Sequence, residues 1–503
     1  MASGLHCPFH MEQLSGKTIS RKSATARGAV YRQRSPKDSI FYQVLQEHFP
    51  KFKSNLFSDQ GDGSSIYLPD HVEAEFDAYI KCGLLEHGFV KMSCEDCHST
   101  ILVPLSCKKR GFCPSCIGKR MNEGAAFFVA NVIPKVPVRQ WVLSFPMPAR
   151  FWMARNPRLM GSLLNIFIRA IHGHYRNTFL SSAGTKTSEY KIQTGSLTVI
   201  QRFGSALNLN IHFHTLFLDG VYVSKVNDKN SEPTFIPHMP MRPEEVENLL
   251  KIVQKRMVRH LIRRGLISKY ENDPIQDLNE ELSLMDSLQG SSVLGKIGSG
   301  ENQGSKVRRV GSFGTQTESA FKSGPMGATL AGFSLHAGTY IRADDRDRLE
   351  TLCRYLLRPP VSEKRLHRRS NGEVMLELKS EWSDGTRAMC FTPHEFIEKL
   401  IAIIPPPRIH GVRFHGVLAP SAEDRKKVVP AKIEPPLQGE LFEVKCKKRI
   451  KRTSWAELLK RTFQIDLSAC LICGGEVKFQ RAVLKKSEIL EILTAADLSP
   501  TPE

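Results

Sequence analysis

The feature that most constrains this chain is the alternating stretch Asn-Leu-Asn-Ile-His-Phe-His-Thr-Leu-Phe-Leu-Asp-Gly at positions 208–220. Successive side chains of a strand point to opposite faces, so Asn210, His212 and His214 share one face of a predicted strand. Two imidazoles roughly 7 Å apart along the backbone can converge on one metal ion. Taken alone, the pattern more often marks two ordinary strand histidines, and the rest of the chain must decide.

A second predicted strand at 195–203 precedes the histidines and is joined to them by Gly-Ser-Ala-Leu at 204–207. The two strands therefore form a predicted hairpin. Antiparallel pairing places Gln201 or Arg202 across from the histidines. A later predicted strand at 332–341 carries His336. We expect the third ligand of a metal site to be His336 first and Gln201 second.

The charge of the chain indicates an anionic partner. Its 503 residues carry a formal net charge of +20, with a pI of about 9.5. Nucleic acid is the first expectation and an anionic membrane surface the second. No apolar run approaches the ~18 residues of a membrane span, and the N-terminus lacks the apolar segment of a signal peptide. These features predict a soluble cytoplasmic protein without a membrane partner.

Six of the twelve cysteines crowd between Cys82 and Cys116, which in a reducing compartment indicates metal rather than disulfides. Two Cys-x-x-Cys pairs separated by 15 residues match a structural zinc site, in which four thiolates form a tetrahedron. The four predicted ligands are Cys94, Cys97, Cys113 and Cys116. Three neighbours, which complete a second zinc site or replace a ligand in the first, are Cys82, Cys107 and His87.

A third pair, Cys470 and Cys473, is half of a zinc knuckle. Cys446 is a candidate third ligand, and no fourth is evident in the sequence. The first zinc region is also basic, with no acidic residue from Ser106 to Arg120. A solvated basic face is one interpretation, and phosphate contact is the favoured one. The predicted DNA contacts there are Lys108, Lys109, Arg110, Lys119 and Arg120.

A predicted helix begins after Asp344-Asp345 and ends at Leu357, before two prolines. Its apolar stripe points to the core, while Tyr355 lies on another face with Arg348 and Arg358. Spacing alone favours a surface aromatic over a catalytic residue. Tyrosine can nevertheless form a stable phosphate ester, neighbouring arginines favour a phenolate, and a divalent cation makes phosphorus more electrophilic.

Six ordered motifs resemble the rolling-circle transposases of the insertion-sequence ninety-one (IS91) type and their common-region relatives. They are Ser-Cys-Lys-Lys-Arg-Gly-Phe-Cys-Pro-Ser-Cys (106–116), Arg-Gln-Trp-Val-Leu-Ser (139–144), Ile-Gln-Arg-Phe through His-Phe-His (200–214), Ser-Leu-His-Ala (334–337), Cys-Arg-Tyr-Leu-Leu-Arg-Pro-Pro (353–360) and Gly-Val-Leu-Ala-Pro (416–420). The resemblance covers residues 65–480.

The resemblance implies an α+β chain in which a small zinc-binding domain precedes an antiparallel, ferredoxin-like His-hydrophobic-His (HUH) nuclease domain. His212 and His214 would bind Mg or Mn, and Tyr355 would nick single-stranded DNA at element ends through a 5′-phosphotyrosine. Two-tyrosine members carry a second tyrosine four residues earlier. Thr351 stands there, so the single-tyrosine branch is the closer match. Further expected DNA contacts are Arg202, Arg348, Arg354 and Arg358.

Four domain ranges follow: a flexible basic arm at 1–65, with a short helix at 40–49 as its one candidate element, a zinc-binding unit at 66–125, a nuclease domain at 126–420 and a basic C-terminal extension at 421–503. Within the nuclease domain, 271–325 is an expected flexible insertion. Two alternatives to the transposase remain. One is a zinc-containing DNA-binding regulator without catalysis, and the other is a replication-initiator or relaxase nickase, against which the zinc unit argues.

Overall fold

The computed structural model describes residues 35–58, 67–184, 189–226, 231–268, 283–311, 324–430, 470 and 472–496. It is a mixed helix and sheet structure in which the sheets are antiparallel. In the described part of the chain, no helix combines the length and the apolar character that a membrane span requires.

The described helices are α1 (Ile40–Ser58), α2 (Asp70–Ile80), α3 (Pro114–Asn131), α4 (Met147–Arg155), α5 (Pro157–Ala183), α6 (Pro243–Arg263), α7 (Leu284–Val293), α8 (Arg346–Leu356), α9 (Pro393–Ile403), α10 (Arg425–Val428) and α11 (Lys486–Ala495). The strands are β1 (Phe89–Cys94), β2 (Thr100–Pro104), β3 (Val138–Ser144), β4 (Tyr190–Gln193), β5 (Gly195–Phe203), β6 (Leu209–Leu218), β7 (Gly220–Lys225), β8 (Thr234–Pro237), β9 (Arg308–Val310), β10 (Gly327–Leu330), β11 (Phe333–Ile341), β12 (Leu366–Arg368), β13 (Val374–Glu377), β14 (Ala388–Phe391), β15 (Val412–Gly416) and β16 (Val477–Val483).

The main sheet has six strands in the order β10-β11-β3-β6-β5-β15. The predicted hairpin is therefore confirmed as β5 and β6, with β6 central and almost entirely buried. Its register places His212 between Ser144 and Gln201. Three smaller sheets have the orders β16-β1-β2, β12-β13-β14-β9 and β4-β7-β8.

Alternation along β6 separates two cores. Leu216 and Leu218 share the face of the two histidines and pack with residues of α3 and α8. Phe213 and Phe217 lie on the other face, in a larger core with residues of α1, α5, α6 and α9. We call these the histidine face and the opposite face of the main sheet.

The expectation of a flexible arm at 1–65 is wrong for its described part, where the short helix expected at 40–49 is longer and packed against the core as α1. Helix α1 presents a buried stripe that includes Phe41, Val44 and Phe49, and the Phe49 ring stacks on Phe76 of α2 at 4.0 Å. The basic and polar composition of this region concealed apolar residues at helical spacing. Residues 1–34 and 59–66 lie outside the described residues.

The expected flexible insertion at 271–325 also contains structure. Helix α7 buries Leu288, and the Ser292 hydroxyl accepts the backbone N–H of Leu209 at 2.9 Å. The Gly298 N–H donates to Glu398 on α9 at 2.8 Å. A glycine- and serine-rich sequence without periodicity is thus held by side-chain hydrogen bonds. Residues 269–282 and 312–323 lie outside the described residues.

The C-terminal region is joined to the zinc unit by strand pairing. Strand β16 pairs with β1, which places Val483 opposite Phe89. Helix α11 buries Ile489 and Leu493 against the same Phe89. The expected separation of 421–503 from the zinc unit is therefore wrong for residues 477–495. The basic run 445–461 and Cys446 lie outside the described residues.

Candidate active site and metal centres

The two histidines of β6 lie side by side on the histidine face, with ring centroids 4.7 Å apart. His212 directs Nδ1 to the carbonyl oxygen of Asn210 at 2.8 Å, so its Nδ1–H donates and Nε2 keeps a lone pair. Gln140 of β3 holds Nδ1 of His214 at 2.9 Å, and Nε2 of His214 is buried without a hydrogen-bond partner among the described residues. A rotation of the Gln140 side-chain amide by about 180° places its oxygen, instead of its nitrogen, beside Nδ1 of His214. The oxygen then accepts a hydrogen bond from Nδ1–H.

Burial keeps both imidazoles neutral near pH 7. Burial lowers the pKa of His212 to about 4. The hydrogen bond to the Asn210 carbonyl raises this pKa, and the positive charges of Arg358 and Arg150 lower it further. Burial also lowers the pKa of His214 well below its ordinary value, and His212 and Arg358 lower it further. Neutral imidazole is the form that binds a metal ion.

Gln201 is the nearest candidate for a third ligand. It lies directly opposite His212 in the β5–β6 ladder. Its amide nitrogen donates to the carbonyl oxygen of Leu356 at 2.8 Å, and its Oε1 is buried without a hydrogen-bond partner in the described chain. Two imidazole nitrogens and this amide oxygen form a donor set that fits a divalent cation.

His336, the first candidate from the sequence, lies one strand further out. It pairs with Val142, and Val142 in turn pairs with His214, so Val142 stands between the two histidines. Among the described residues, no third histidine, cysteine or carboxylate brings a ligand atom within 4.8 Å of those of His212 and His214. The structure therefore favours Gln201 over His336.

Tyr355 lies on α8, where Asp345 caps the first turn by accepting the Arg348 N–H. The buried residues Leu349, Cys353 and Leu356 fix the helix against the histidine face, as the sequence predicts. Tyr355 remains 41% exposed, and its ring meets that of His214 edge to face at a centroid distance of 6.2 Å.

Two cations flank this phenol. The guanidinium carbon of Arg358 lies 4.1 Å from the Tyr355 ring centroid, and Nζ of Lys379 lies 4.8 Å from it. Partial desolvation, together with Arg358 and Arg365, lowers the pKa of Lys379 to about 8. Thr351 is exposed one turn earlier on α8 and donates its hydroxyl to the Asp347 carbonyl at 3.0 Å. The region between α8 and the sheet thus brings together a phenol, two neutral imidazoles and positive charge.

The cysteines form two four-thiol clusters rather than the one predicted from spacing. The first cluster consists of Cys82, Cys107, Cys113 and Cys116. Its Sγ atoms lie 3.3–3.8 Å apart where they make contact. Zinc–sulfur bonds of about 2.3 Å require sulfurs about 3.8 Å apart in a tetrahedron, so this spacing fits zinc.

The second cluster consists of Cys94, Cys97, Cys470 and Cys473. Sγ of Cys94 lies 3.4 Å from that of Cys473, and Sγ of Cys97 lies 3.5 Å from that of Cys470. Backbone amides at Ile472 and Gly475 donate to the Cys470 and Cys473 sulfurs, both at 3.4 Å. Such N–H···S bonds stabilise thiolates.

A single ion on Cys94, Cys97, Cys113 and Cys116 is therefore the wrong arrangement. Cys82 and Cys107, which the sequence offered as additional ligands, complete the first cluster. The C-terminal pair, Cys470 and Cys473, completes the second. His87 joins neither cluster among the described residues. Spacing in the sequence detects each knuckle but does not show which knuckles share an ion.

Two family models match the chain. Residues 44–145 match the family described as "Transposase zinc-binding domain" of the IS91 type, and residues 195–427 match the Y2_Tnp family, described as "Putative transposase". The chain belongs to the IS91-type transposases. Comparison with curated proteins and with solved structures returned no match.

The two matched ranges of the transposase contain different sites. The first contains all six cysteines between Cys82 and Cys116, and the second contains His212, His214 and Tyr355. Cys470 and Cys473 lie outside both ranges, although they complete a cluster with Cys94 and Cys97. Matched zinc domain and four-thiol clusters together support structural zinc in this transposase.

The basic residues predicted to contact DNA outside the zinc unit divide into three groups. Arg358 lies at the candidate site, and Arg348 is exposed on the same helix. Arg354 is tied to Glu350 by an ion pair on α8. Arg202 is buried on the opposite face and donates to the Ile403 carbonyl at 3.1 Å, so its prediction as a DNA contact is wrong. Strand alternation sends Gln201 and Arg202 to opposite faces.

In the zinc unit, Lys108 and Arg110 are exposed, and Lys109 is half-buried. The Arg120 guanidinium instead holds the backbone carbonyls of Lys108 and Lys109, while Lys119 lies 4.0 Å from Glu123. Arg120 therefore shapes the basic turn. The exposed lysine and arginine of the turn remain the predicted phosphate contacts.

Sequence reasoning missed Gln140, Arg150 and Lys379. Gln140 had a usable signal, since β3 alternates and Gln140 falls on the same face as Val142 beside the histidine strand. Arg150 follows β3 on α4 and influences His212 through charge. Lys379 had no signal, because it reaches Tyr355 from the end of β13, in a separate small sheet.

Proposed function

We propose that this transposase nicks single-stranded DNA with Tyr355 as nucleophile, beside a divalent cation on His212, His214 and Gln201. The observation that carries the proposal is the edge-to-face contact of Tyr355 with His214, at 6.2 Å between centroids, while Nε2 of His214 is buried without a hydrogen-bond partner in the described chain. A buried imidazole nitrogen without a hydrogen-bond partner, on a ring in contact with an exposed phenol, is consistent with a metal-bound phosphate beside Tyr355.

Each side chain has a defined part. His212, His214 and Gln201 would hold Mg²⁺ or Mn²⁺, which when bound would polarise the scissile phosphate. Gln140 orients the His214 ring, as outer hydrogen bonds do around metal ligands. Arg358 and Lys379 balance negative charge on the phenol oxygen and the phosphate.

The proposed step forms one bond and breaks one. The phenol loses its proton to solvent, and its oxygen attacks phosphorus. The bond between phosphorus and O3′ breaks, and O3′ takes up a proton. The products are a 5′-phosphotyrosine on Tyr355 and a free 3′-hydroxyl. The ester conserves the energy of the phosphodiester, so a second 3′-hydroxyl can reverse the reaction at a target and complete rolling-circle strand transfer.

With Thr351 in place of a second tyrosine, one covalent link forms per active site at a time. We assign the chain to the single-tyrosine branch on this ground. The exposed cations Lys108 and Arg110 of the zinc unit, together with Arg348 of α8, are proposed to contact the DNA backbone. Binding that depends on such contacts weakens steeply as salt rises.

We also propose that each thiol cluster holds one structural zinc. The first ion would fix α3 to the segments around Cys82 and Cys107. The second would fix the loop after β1 to the segment before β16. Neither cluster includes a residue of the candidate site, so zinc would shape the basic unit and leave the chemistry to the main sheet and α8.

The test is covalent capture. Single-stranded oligonucleotides that tile the DNA flanking the coding sequence are labelled and incubated with the full chain and Mn²⁺. We expect a labelled protein band with wild type and none with Tyr355→Phe. Tyr340→Phe is the matched control, because Tyr340 is 39% exposed, close to the 41% of Tyr355, and also faces an arginine, Arg139 at 5.2 Å. An adduct that survives in Tyr355→Phe would refute the assignment.

A further inference from the structure

Two histidines and a glutamate meet away from the sites described so far. His174 lies on α5, His238 follows β8, and Glu245 lies in the first turn of α6. Their ligand atoms all lie within 4.8 Å of one another. Helix α5 packs on the opposite face of the main sheet, where Tyr175 contacts Phe217, so this cluster is separated from Tyr355 by the sheet.

One ring nitrogen of each histidine in this cluster lacks a hydrogen-bond partner among the described residues. Nε2 of His174 and Nε2 of His238 are both shielded from solvent without a hydrogen bond in the described chain. Glu245 Oε1 lies 3.8 Å from His174 Nε2, beyond hydrogen-bond reach. Buried polar atoms normally have partners, and leaving one unpaired costs about 1–3 kcal/mol. Two such nitrogens beside a carboxylate indicate a missing partner that accepts lone pairs.

Two of the three residues, His238 and Glu245, are held by a second contact. His238 directs Nδ1 to the Met239 carbonyl at 2.6 Å, so Nδ1–H donates and the Nε2 lone pair faces the cluster. Glu245 uses Oε2 to accept the Arg242 N–H at 2.7 Å, which leaves Oε1 for the cluster. The Tyr175 ring packs edge to face on His238 at 5.1 Å. Outer contacts of this kind orient the ligands of a metal site.

We propose that His174, His238 and Glu245 bind one divalent transition metal, with zinc as the best match to two imidazoles and a carboxylate. Zinc–nitrogen and zinc–oxygen bonds of about 2.0–2.2 Å place tetrahedral donors about 3.4 Å apart, a small contraction from the present spacing. The ion would join α5, α6 and the segment after β8. It stabilises the fold and is independent of the proposed DNA cleavage.

Zinc content tests the proposal. All proteins carry His214→Gln, so that the sheet site adds no ion, and all are full length, loaded with zinc and dialysed against metal-free buffer. We expect elemental analysis to find one equivalent less in His238→Gln than in its parent. His260→Gln is the matched control, because His260, like His238, has a buried Nε2 without a hydrogen-bond partner, yet it belongs to no metal-ligand cluster among the described residues. It should keep the full complement.

A folding defect is separated from ligand loss by Glu245→Gln, whose amide oxygen can still accept the Arg242 N–H. We expect this variant to keep the helical circular dichroism of the parent and to bind zinc at least about 10-fold more weakly in chelator competition. Equal zinc content and affinity in the parent, His238→Gln and Glu245→Gln would overturn the proposal and leave His174 and Glu245 as an ion pair only. Neither result bears on Tyr355, which the covalent capture tests.

Discussion

The histidine site and the second thiol cluster differ in how their parts are distributed along the chain. His212 and His214 lie on one strand, and Gln201 lies across the hairpin in the neighbouring strand. Cys94 and Cys473 are separated by 379 positions, yet their sulfurs lie 3.4 Å apart. A site written into one strand can be recognised from periodicity, whereas a site assembled from distant segments depends on topology.

Mutations in the two regions should have different effects, on DNA nicking at the histidine site and on zinc content at the thiol clusters. The variant His214→Ala tests this difference and has the largest expected effect. A bound cation contributes several kcal/mol to stabilising a phosphoryl transition state, and each 1.4 kcal/mol is tenfold in rate. We therefore expect DNA nicking to fall by at least about 100-fold, with unchanged zinc in the thiol clusters. A variant that nicks normally would remove the histidines from the chemistry.

The choice of third ligand gives the next largest effect. Because Gln201 faces His212 and His336 is separated from His214 by Val142, we expect Gln201→Ala to weaken Mn²⁺-dependent nicking by about 10–100-fold. His336→Ala, the matched control, should change it by less than about threefold. The Mn²⁺ concentration that gives half-maximal rate is the measurement. The reverse order would restore His336 as the ligand.

Much of the histidine site follows from local sequence rules. Alternation sets the face of His212 and His214, and the spacing of Leu349, Cys353 and Leu356 leaves Tyr355 outward on α8. The contact between Tyr355 and His214 is a tertiary result that residue spacing does not contain. The same limit applied to the segment after α7, where the backbone amides of Gly298 and Ser299 donate to the Glu398 carboxylate and hold a sequence without periodicity.

The thiol clusters depend even more on tertiary contacts that residue spacing does not predict. Equal spacing of two Cys-x-x-Cys pairs favours a shared ion, but β1 pairs with β16 and thereby brings Cys470 and Cys473 to Cys94 and Cys97. Strand pairing over such a distance leaves no trace in local composition. Helix α1 was expected only as a short helix at 40–49 in a flexible arm, because polar residues around it outnumber its buried aromatic stripe.

The variant Cys473→Ser tests the second thiol cluster, where we expect an effect on structure. We expect loss of one zinc equivalent and faster proteolytic release of the C-terminal segment, because the ion would hold that segment to β1. Cys446→Ser is the control, since four thiols already complete each cluster. Elemental analysis and timed proteolysis report the two effects. Full zinc content in Cys473→Ser would contradict the assignment of a zinc ion to the second cluster.

The smallest predicted effect concerns the pH dependence of nicking. The pKa of Lys379 is lowered to about 8, so its ammonium loses its proton as pH rises through about 8. An exposed cation beside an aromatic ring is worth about 0.5–1 kcal/mol, or a factor of two to five in rate. We expect the rate ratio of Lys379→Arg to wild type to rise by that factor between pH 7 and 9. A flat ratio would remove Lys379 from the mechanism.

The central claim is that Tyr355 becomes linked to the 5′ phosphate of nicked DNA, and peptide mapping of the covalent adduct tests it most directly. An oligonucleotide labelled at its 3′ end is nicked with Mn²⁺, the protein is digested, and the labelled peptide is sequenced by mass spectrometry. We predict that the label stays with the peptide containing Tyr355, while a 5′ label leaves with a free 3′-hydroxyl. A nucleotide on any other residue, or retention of the 5′ label, would contradict the account.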